Sequence, residues 1–150
     1  MKISGFSYIR NGLTYEYPFL ESIQSILPIC DEFIMAVGNS DDGTKEAIRK
    51  LGNPKIKIID TAWNEDLRKN GKIFAQQANI ALKQTTGDWA FHIQADEVIH
   101  ENSLDTIYYQ IKSVNNNEKI LYGIIEFFIS EARSGYNHSS KLPRTNFKQI

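Results

Sequence analysis

The sequence predicts an α/β fold, an open and mostly parallel sheet with helices on both faces. Short apolar segments alternate with longer amphipathic segments almost from the first residue. The segment 32–37 is nearly all apolar, as expected for a strand that is covered on both faces. The intervening segments are long enough to form helices that connect one strand to the next. This pattern indicates βαβ units and therefore a parallel sheet.

The borders of these segments carry start and stop signals for helices. Thr14 can cap the first helix and Pro28 ends it, and Gly52 followed by Pro54 ends the second helix. The predicted elements in chain order are strand 3–9, helix 14–27, strand 32–37, helix 44–51, strand 55–59, helix 71–85, strand 89–94, helix 103–114 and strand 120–129.

The predicted helix 71–85 has two distinct faces. Its inner stripe is expected to consist of Phe74, Ala78, Ala81, Leu82 and Thr85, and its polar stripe of Gln76, Asn79 and Lys83. Residues 1–130 are expected to form one α/β domain. Residues 131–150 are polar and irregular in pattern, so they are expected to form a C-terminal tail without regular structure.

Composition and charge narrow the class of protein. The chain has 150 residues, a net charge of −1 and 41% apolar residues, which suits one globular domain and gives no reason to expect nucleic acid as a partner. Cys30 is the single cysteine, which favours a reducing compartment and a small buried thiol. No signal peptide and no transmembrane segment is expected, so the predicted location is the cytoplasm.

Two adjacent carboxylates follow the predicted strand 89–94. Burying an unpaired carboxylate is costly, so Asp96 and Glu97 must be exposed or paired. In an open α/β sheet the carboxyl ends of the strands form the ligand crevice. The two acids are therefore well placed to hold a divalent cation against a phosphorylated substrate, although an ordinary solvated turn would have the same sequence.

Polar residues also follow the first and second strands. Arg10 and Asn11 come after the first strand, and the turn 39–44 comes after the second. The start of the next helix can attract an anion there, although Asp42 or Thr44 could simply cap that helix. Because parallel strands end at a common edge, these side chains should meet in one crevice. The chain lacks both G-x-G-x-x-G and G-x-x-x-x-G-K-[ST], which disfavours a dinucleotide-binding dehydrogenase and a P-loop NTPase.

Three further features of the sequence have two readings each. Trp63 could stack on a base or a sugar, or it could fold onto the sheet. His92 lies within a strand and is expected to pack or to form a hydrogen bond. The basic cluster Arg68, Lys69 and Lys72 is more typical of a solvated loop than of a phosphate clamp.

The motifs together resemble those of the family-two, GT-A type glycosyltransferases, which use nucleotide sugars as donors. The resemblance covers roughly residues 2–130. It rests on the order and spacing of Arg10-Asn11, Glu21-Ser22-Ile23, Asp31-Glu32-Phe33, Ser40-Asp41-Asp42-Gly43-Thr44, Gly87-Asp88-Trp89 and Gln94-Ala95-Asp96-Glu97. The Ser40–Thr44 segment is similar to the family's S-T-D-G-T turn, and Gln94–Asp96 stands where the family has its D-x-D motif.

The resemblance implies a Rossmann-like fold with a nucleotide-sugar pocket, a Mg²⁺ or Mn²⁺ ion that bridges the diphosphate, and a glycan or lipid-linked acceptor in cell-envelope glycan synthesis. Asp96 is the implied metal ligand, and Glu97 is a second ligand or a contact to a bound water. The implied donor-binding residues are Arg10, Asn11, Gly38, Asn39, Ser40, Asp42, Asn79, Gln94 and Ala95. Residues 131–150 would then begin an incomplete acceptor half.

The sequence departs from the family pattern at three places. Gln94 replaces the first acid of the D-x-D motif, and Val37-Gly38 replaces an aspartate that reads a uracil base in many relatives. Gln77-Ala78-Asn79 replaces A-R-N, so a cationic partner for the diphosphate is missing there. Lys72 or Arg10 could substitute for it.

The expected function is metal-assisted sugar transfer from a nucleotide sugar. The alternatives are a nucleotide-sugar-binding domain without turnover and, less favoured, a nucleotidyltransferase. No catalytic base is assigned.

Overall fold

The computed structural model describes residues 1–113 and 148–149. The strands are β1 (Ile3–Ile9), β2 (Glu32–Val37), β3 (Ile56–Asp60), β4 (Trp89–His92) and β5 (Lys148–Gln149). The α-helices are α1 (Phe19–Ile26), α2 (Thr44–Lys50), α3 (Lys72–Leu82) and α4 (Glu101–Ser113). Short 3₁₀ turns occupy Leu27–Ile29, Glu65–Leu67 and Lys69–Gly71. The predicted strand 120–129 and the predicted tail 131–150 lie outside the described residues, apart from the two residues of β5.

The strands form one sheet in the order β3-β2-β1-β4-β5. β1 pairs in parallel with both β2 and β4, and β2 pairs in parallel with β3, whereas β5 is antiparallel to β4. The predicted mostly parallel α/β sheet is therefore confirmed. The order also places a topological switch point between β1 and β4, because the chain moves outward from β1 first on one side and then on the other.

Helices cover both faces of the sheet, as predicted. Alternate residues of β2 belong to two separate cores: Phe33, Met35 and Val37 pack on one side, and Ile34 and Ala36 on the other. The larger core also contains buried residues of α1, α2 and α4. The smaller core is closed by α3. This alternation is the period of two that a strand imposes on its side chains.

The first helix begins later than predicted. α1 starts at Phe19 rather than at residue 14, and residues 12–16 form turns in which Glu16 adopts a φ of 55°. Pro18 explains the difference, because a proline disfavours helical backbone in the residue before it. The backbone N–H of Thr14 donates to Asp42 at 2.9 Å instead of taking part in a helix.

The inward face of α3 also differs from the prediction. Phe74 is 47% exposed, whereas Ile73, Gln77 and Ala81 are buried. Gln77 can lie in the interior because its amide Nε2 donates to the carbonyl oxygen of Ala62 at 3.2 Å. The buried stripe is thus shifted by one residue at the start of the helix, and α3 ends at Leu82 instead of residue 85.

A polar network joins the strands at their amino ends. The carboxylate of Glu32, which is 3% exposed, accepts hydrogen bonds from Ser4 Oγ at 2.6 Å, from Lys57 Nζ at 2.7 Å and from the backbone N–H of Thr86 at 2.7 Å. Burial raises the pKa of this carboxyl, but the hydrogen bonds from Lys57, Ser4 and Thr86 outweigh burial and bring it to about 2. Glu32 therefore links β1, β2, β3 and the segment before β4.

Along the described residues, no helix has both the length and the apolar character that a membrane crossing requires. Cytoplasmic location stays a prediction.

Candidate functional site

A cleft of about 630 Å³ opens at the carboxyl ends of β1 and β4. This is the switch point of the sheet, where open α/β folds bind their ligands. Three segments contribute the lining: the end of β1 with the turns that follow it, the loop between β3 and α3 with the first turn of α3, and the residues after β4. The lining residues are Tyr8, Ile9, Arg10, Asn11, Tyr15, Tyr17, Trp63, Glu65, Arg68, Phe74, Gln94, Ala95 and Asp96.

Aromatic rings form one wall of the cleft. The ring of Tyr8 stacks against His92 with centroids 5.9 Å apart and against Phe74 with centroids 6.3 Å apart. Trp63 meets Phe74 edge-on at 5.8 Å. His92 packs as predicted, and burial lowers the pKa of its imidazole. Trp63 both folds against the end of the sheet and lines the cleft, so the two readings of this residue are compatible.

Asp96 and Glu97 have different surroundings. Asp96 is exposed and lines the cleft, whereas Glu97 turns back and accepts a hydrogen bond from the backbone N–H of Gln94 at 2.9 Å. Burial, followed by the charges of Asp96 and Glu97, raises the pKa of the Tyr8 phenol.

The residues after β4 fit a Mg²⁺ or Mn²⁺ ion that has few protein ligands. Within residues 1–113 no group of three or more histidine, cysteine, aspartate or glutamate side chains is placed to hold a metal. Mg²⁺, however, commonly takes one or two carboxylates and completes its shell with water and phosphate oxygens. Asp96 can supply one such carboxylate, because no described side chain occupies it with a hydrogen bond or ion pair. Glu97 is engaged by the turn.

Two arginines and one glutamate form a charged cluster in the cleft. Arg10 Nη1 donates to Glu65 Oε1, and Arg68 Nε forms an ion pair with Glu65 Oε2 at 3.0 Å. The Arg10 guanidinium carbon also lies 5.9 Å from the centre of the Trp63 ring, within the range of a cation–π contact. Three buried polar atoms nearby have no hydrogen-bond partner in the described structure: Arg10 Nε, Asn11 Oδ1 and Trp63 Nε1.

The turn 39–44 supports the loop after β1. The backbone N–H of Asn11 donates to Ser40 Oγ at 2.9 Å, and that of Gly12 donates to Thr44 Oγ1 at 2.8 Å. Asp42 accepts hydrogen bonds from Thr44 and from the N–H of Thr14 at 2.9 Å. Burial raises the pKa of Asp42, but the hydrogen bonds from Thr44 and Thr14 outweigh it and bring the pKa to about 2. The prediction that Asp42 or Thr44 caps α2 is wrong, because the N-cap residue is Gly43, which has a φ of 86° and no side-chain cap hydrogen bond. Asp42 precedes this residue and anchors the loop after β1, and Thr44 is the first residue of α2.

The structure brings together only some of the residues predicted for the site. Arg10, Asn11, Gln94, Ala95 and Asp96 line one cleft. The remaining predicted residues lie outside its lining: Gly38 packs against Trp63, Ser40 and Asp42 hold the loop after β1, Glu97 closes its own turn, and Asn39 and Asn79 are exposed.

Several lining residues were not predicted. Tyr8 and Phe74 look like core residues in the sequence, and Glu65 lies in a loop without a regular pattern. Arg68 belongs to the basic cluster that favoured a solvated loop. The sequence did contain one indication of their role. The segment 63–74 has many aromatic and charged residues for a loop that only connects a strand to a helix.

The structure combines an α/β fold with a cleft at the carboxyl ends of its parallel strands, the position where open α/β folds bind their ligands. The model of the family described as glycosyl transferase family 2 matches residues 16–149. The chain belongs to this family, which confirms the resemblance seen in the motifs.

A curated relative, an uncharacterized glycosyltransferase of Rickettsia typhi, is 28% identical over 123 residues, or 82% of this chain and 37% of the relative. The chain thus spans less than two fifths of that relative's length.

Two solved structures share the fold. Staphylococcus aureus TarS, residues 1–349, has a TM-score of 0.54 and 23% identity, with 75% of this chain and 32% of TarS covered. Glucosyl-3-phosphoglycerate synthase of Mycobacterium tuberculosis has a TM-score of 0.53 and 19% identity, with 79% of this chain and 40% of the synthase covered. TarS has been crystallised with UDP, and the synthase with Mn²⁺, UDP and phosphoglyceric acid. At these identities the comparison shows a common fold.

Proposed function

We propose that this chain is the donor-binding part of a metal-assisted glycosyltransferase, which transfers a sugar from a nucleotide sugar to a glycan or lipid-linked acceptor. The observation that carries the proposal is the convergence of Arg10, Asn11 and Asp96 in one cleft at the switch point of the sheet. Family membership and the UDP and Mn²⁺ complexes of the two structural relatives support it.

The described residues can perform the parts of donor binding. Asp96 offers a free carboxylate to Mg²⁺ or Mn²⁺, which when bound neutralises charge on a departing diphosphate. Arg10 and Arg68 bring positive charge to the same cleft. The wall formed by Tyr8, Trp63 and Phe74 offers ring faces on which a base or a sugar can stack.

The compartment and the acceptor class belong to the proposal as well. The single cysteine, Cys30, is buried and free, which is compatible with a reducing cytoplasm. We expect the acceptor to be a component of the cell envelope. Both points rest on the sequence and on the family, and the cleft itself is compatible with many acceptors.

The proposal is tested by calorimetric titration of the chain with UDP, GDP, ADP and CDP, with and without MnCl₂. We expect at least one nucleoside diphosphate to bind, Mn²⁺ to strengthen its binding, and Asp96→Asn to abolish that strengthening. Asp41→Asn is the matched control, because it removes one exposed negative charge outside the cleft lining. Equal Mn²⁺ effects in Asp96→Asn and in the unmodified chain would contradict the role given to Asp96.

A second candidate is donor binding without turnover. The described cleft contains two acids: Asp96, which is assigned to the metal, and Glu65, which is paired with two arginines. Neither is free to take a proton from an acceptor hydroxyl in the described part of the chain. Release of free sugar from nucleotide sugars by the purified chain would favour the enzyme. Tight binding with no hydrolysis and no transfer would favour the second candidate.

A further inference from the structure

Glu65 is an acid held between two arginines inside the proposed donor cleft. Its two carboxylate oxygens are divided between them: Oε1 accepts a hydrogen bond from Arg10, and Oε2 forms an ion pair with Arg68 Nε at 3.0 Å. All three side chains line the cleft. The carboxylate thus occupies the position between two guanidinium groups that an anionic ligand would also favour.

The partners of this cluster are anchored unequally. Arg10 directly follows β1, its side chain is 26% exposed, and its guanidinium lies over Trp63. The buried Nε of Arg10 has no hydrogen-bond partner in the described structure, so Arg10 has an N–H group that is free to donate to a ligand. Glu65 lies on the short 3₁₀ turn Glu65–Leu67 and is 53% exposed. Glu65 is therefore held less firmly than Arg10, and Arg68, whose side chain is 67% exposed, can pair with another anion when Glu65 leaves.

We infer that Glu65 occupies a subsite for a phosphate group of the ligand, and that Arg10 and Arg68 are the residues that bind this phosphate once Glu65 is displaced. A phosphate offers more charge and more acceptor oxygens than a carboxylate, and the planar guanidinium matches both in geometry. Ion pairs between exposed side chains contribute little to stability, so releasing Glu65 costs little. Asp96, which also lines the cleft, would remain available for a cation.

This inference deepens the proposed function, because it assigns an anion site within the same cleft. It also addresses a departure from the family pattern, since the helix before β4 lacks an arginine for the diphosphate. The phosphate could come from the diphosphate of the donor or from a phosphorylated acceptor. Both sources use the same chemistry, and competition between ligands separates them.

The test measures binding of inorganic pyrophosphate by calorimetry in the absence of divalent metal. Glu65→Gln should tighten binding by up to about fivefold, the range of one exposed ion pair. Its control, Asp66→Asn, removes the same charge from the same turn without touching an arginine and should leave binding unchanged. Arg68→Gln should weaken binding, whereas Lys69→Gln, the neighbouring exposed cation, should not.

Three results would overturn the inference: no pyrophosphate binding by any variant, equal effects of Glu65→Gln and Asp66→Asn, or equal effects of Arg68→Gln and Lys69→Gln. If the inference holds, a nucleoside diphosphate that displaces pyrophosphate assigns the subsite to the donor, and simultaneous binding assigns it to the acceptor. The proposed function fails separately, if Mn²⁺ does not strengthen nucleotide binding in the unmodified chain or strengthens it equally in Asp96→Asn, and metal-free pyrophosphate binding does not report either result.

Discussion

The indole of Trp63 lies directly against the backbone of Gly38. The indole Nε1 is 2.5 Å from the position that a Cβ at residue 38 would occupy, and Arg10 Cβ is 3.0 Å from it. Any side chain at residue 38 would therefore collide with Trp63. The absence of an aspartate at this position is thus coupled to the presence of a tryptophan in the wall of the cleft.

We expect Gly38→Ala to displace Trp63 outward and to weaken binding of nucleoside diphosphates. A Cβ contact of this length requires the indole to move, and the indole supports both Tyr8 and Arg10. The measurement is the fluorescence of Trp63 in a Trp89→Phe background, which leaves one tryptophan in the chain. A red-shifted emission relative to Trp89→Phe alone is expected, and an unchanged emission with unchanged ligand affinity would contradict it.

Glu32→Gln is expected to lower the free energy of unfolding by about 3 kcal/mol at neutral pH. The pKa of Glu32 is about 2 in the folded chain against an ordinary value of 4.5, so its contribution is fully present above pH 4.5 and disappears as the pH falls through about 2. Urea unfolding of both proteins between neutral and acid pH measures this difference.

The control for Glu32 is Glu46→Gln, because Glu46 forms an exposed pair with Arg49. It should change the free energy of unfolding by less than about 0.5 kcal/mol. A gap between Glu32→Gln and the unmodified chain that persists undiminished at the lowest pH would show that the hydrogen bonds do not act through the charged carboxylate.

Asp42→Asn is expected to destabilise the chain by about 1 kcal/mol and to loosen the loop after β1. The carboxylate accepts hydrogen bonds from Thr14 and Thr44, and an amide cannot replace all of them with the same strength. Hydrogen exchange of the Thr14 and Thr44 amides measures the effect directly. Asp41→Asn, an exposed neighbour, should leave both exchange rates unchanged.

Cys30 is expected to resist thiol reagents while the chain is folded. Burial raises the pKa of its thiol to about 12, so almost no thiolate is present at about pH 8. Labelling with Ellman's reagent across a urea titration should follow the unfolding transition. Rapid labelling without urea would show that the interior around Cys30 opens in the native state.

Regular elements of this fold can be predicted where local sequence and tertiary packing agree. β1 and β2 have the predicted bounds, because each ends at a change from apolar to polar or glycine residues. The predicted start of α1 is too early because Thr14 has the chemistry of a helix cap, whereas its backbone N–H is taken by Asp42, a residue distant in sequence. Pro18 is the local signal for the later start. Phe74 is predicted to lie in the core because it belongs to the apolar stripe of the helix. The spacing of apolar residues cannot distinguish a buried face from one that lines a cleft.

The site was predictable where it is built from strand ends. Arg10, Asn11 and Asp96 could be grouped in advance because parallel strands end at one edge. Glu65 and Arg68 could not be predicted as cleft residues. The loop between β3 and α3 has no regular spacing of apolar residues, so its sequence does not indicate which side chains face the cleft. The assignment of the predicted donor and metal residues themselves stays a prediction.

The buried carboxylate of Glu32 has a consequence for altering this molecule. Glu32 joins the amino ends of the strands by hydrogen bonds, whereas the cleft lies at their carboxyl ends. Residues that stabilise the sheet and residues that line the cleft are therefore located at opposite ends of the same strands. Libraries that randomise the cleft while sparing Ser4, Glu32, Lys57 and Thr86 should therefore retain a high fraction of folded members.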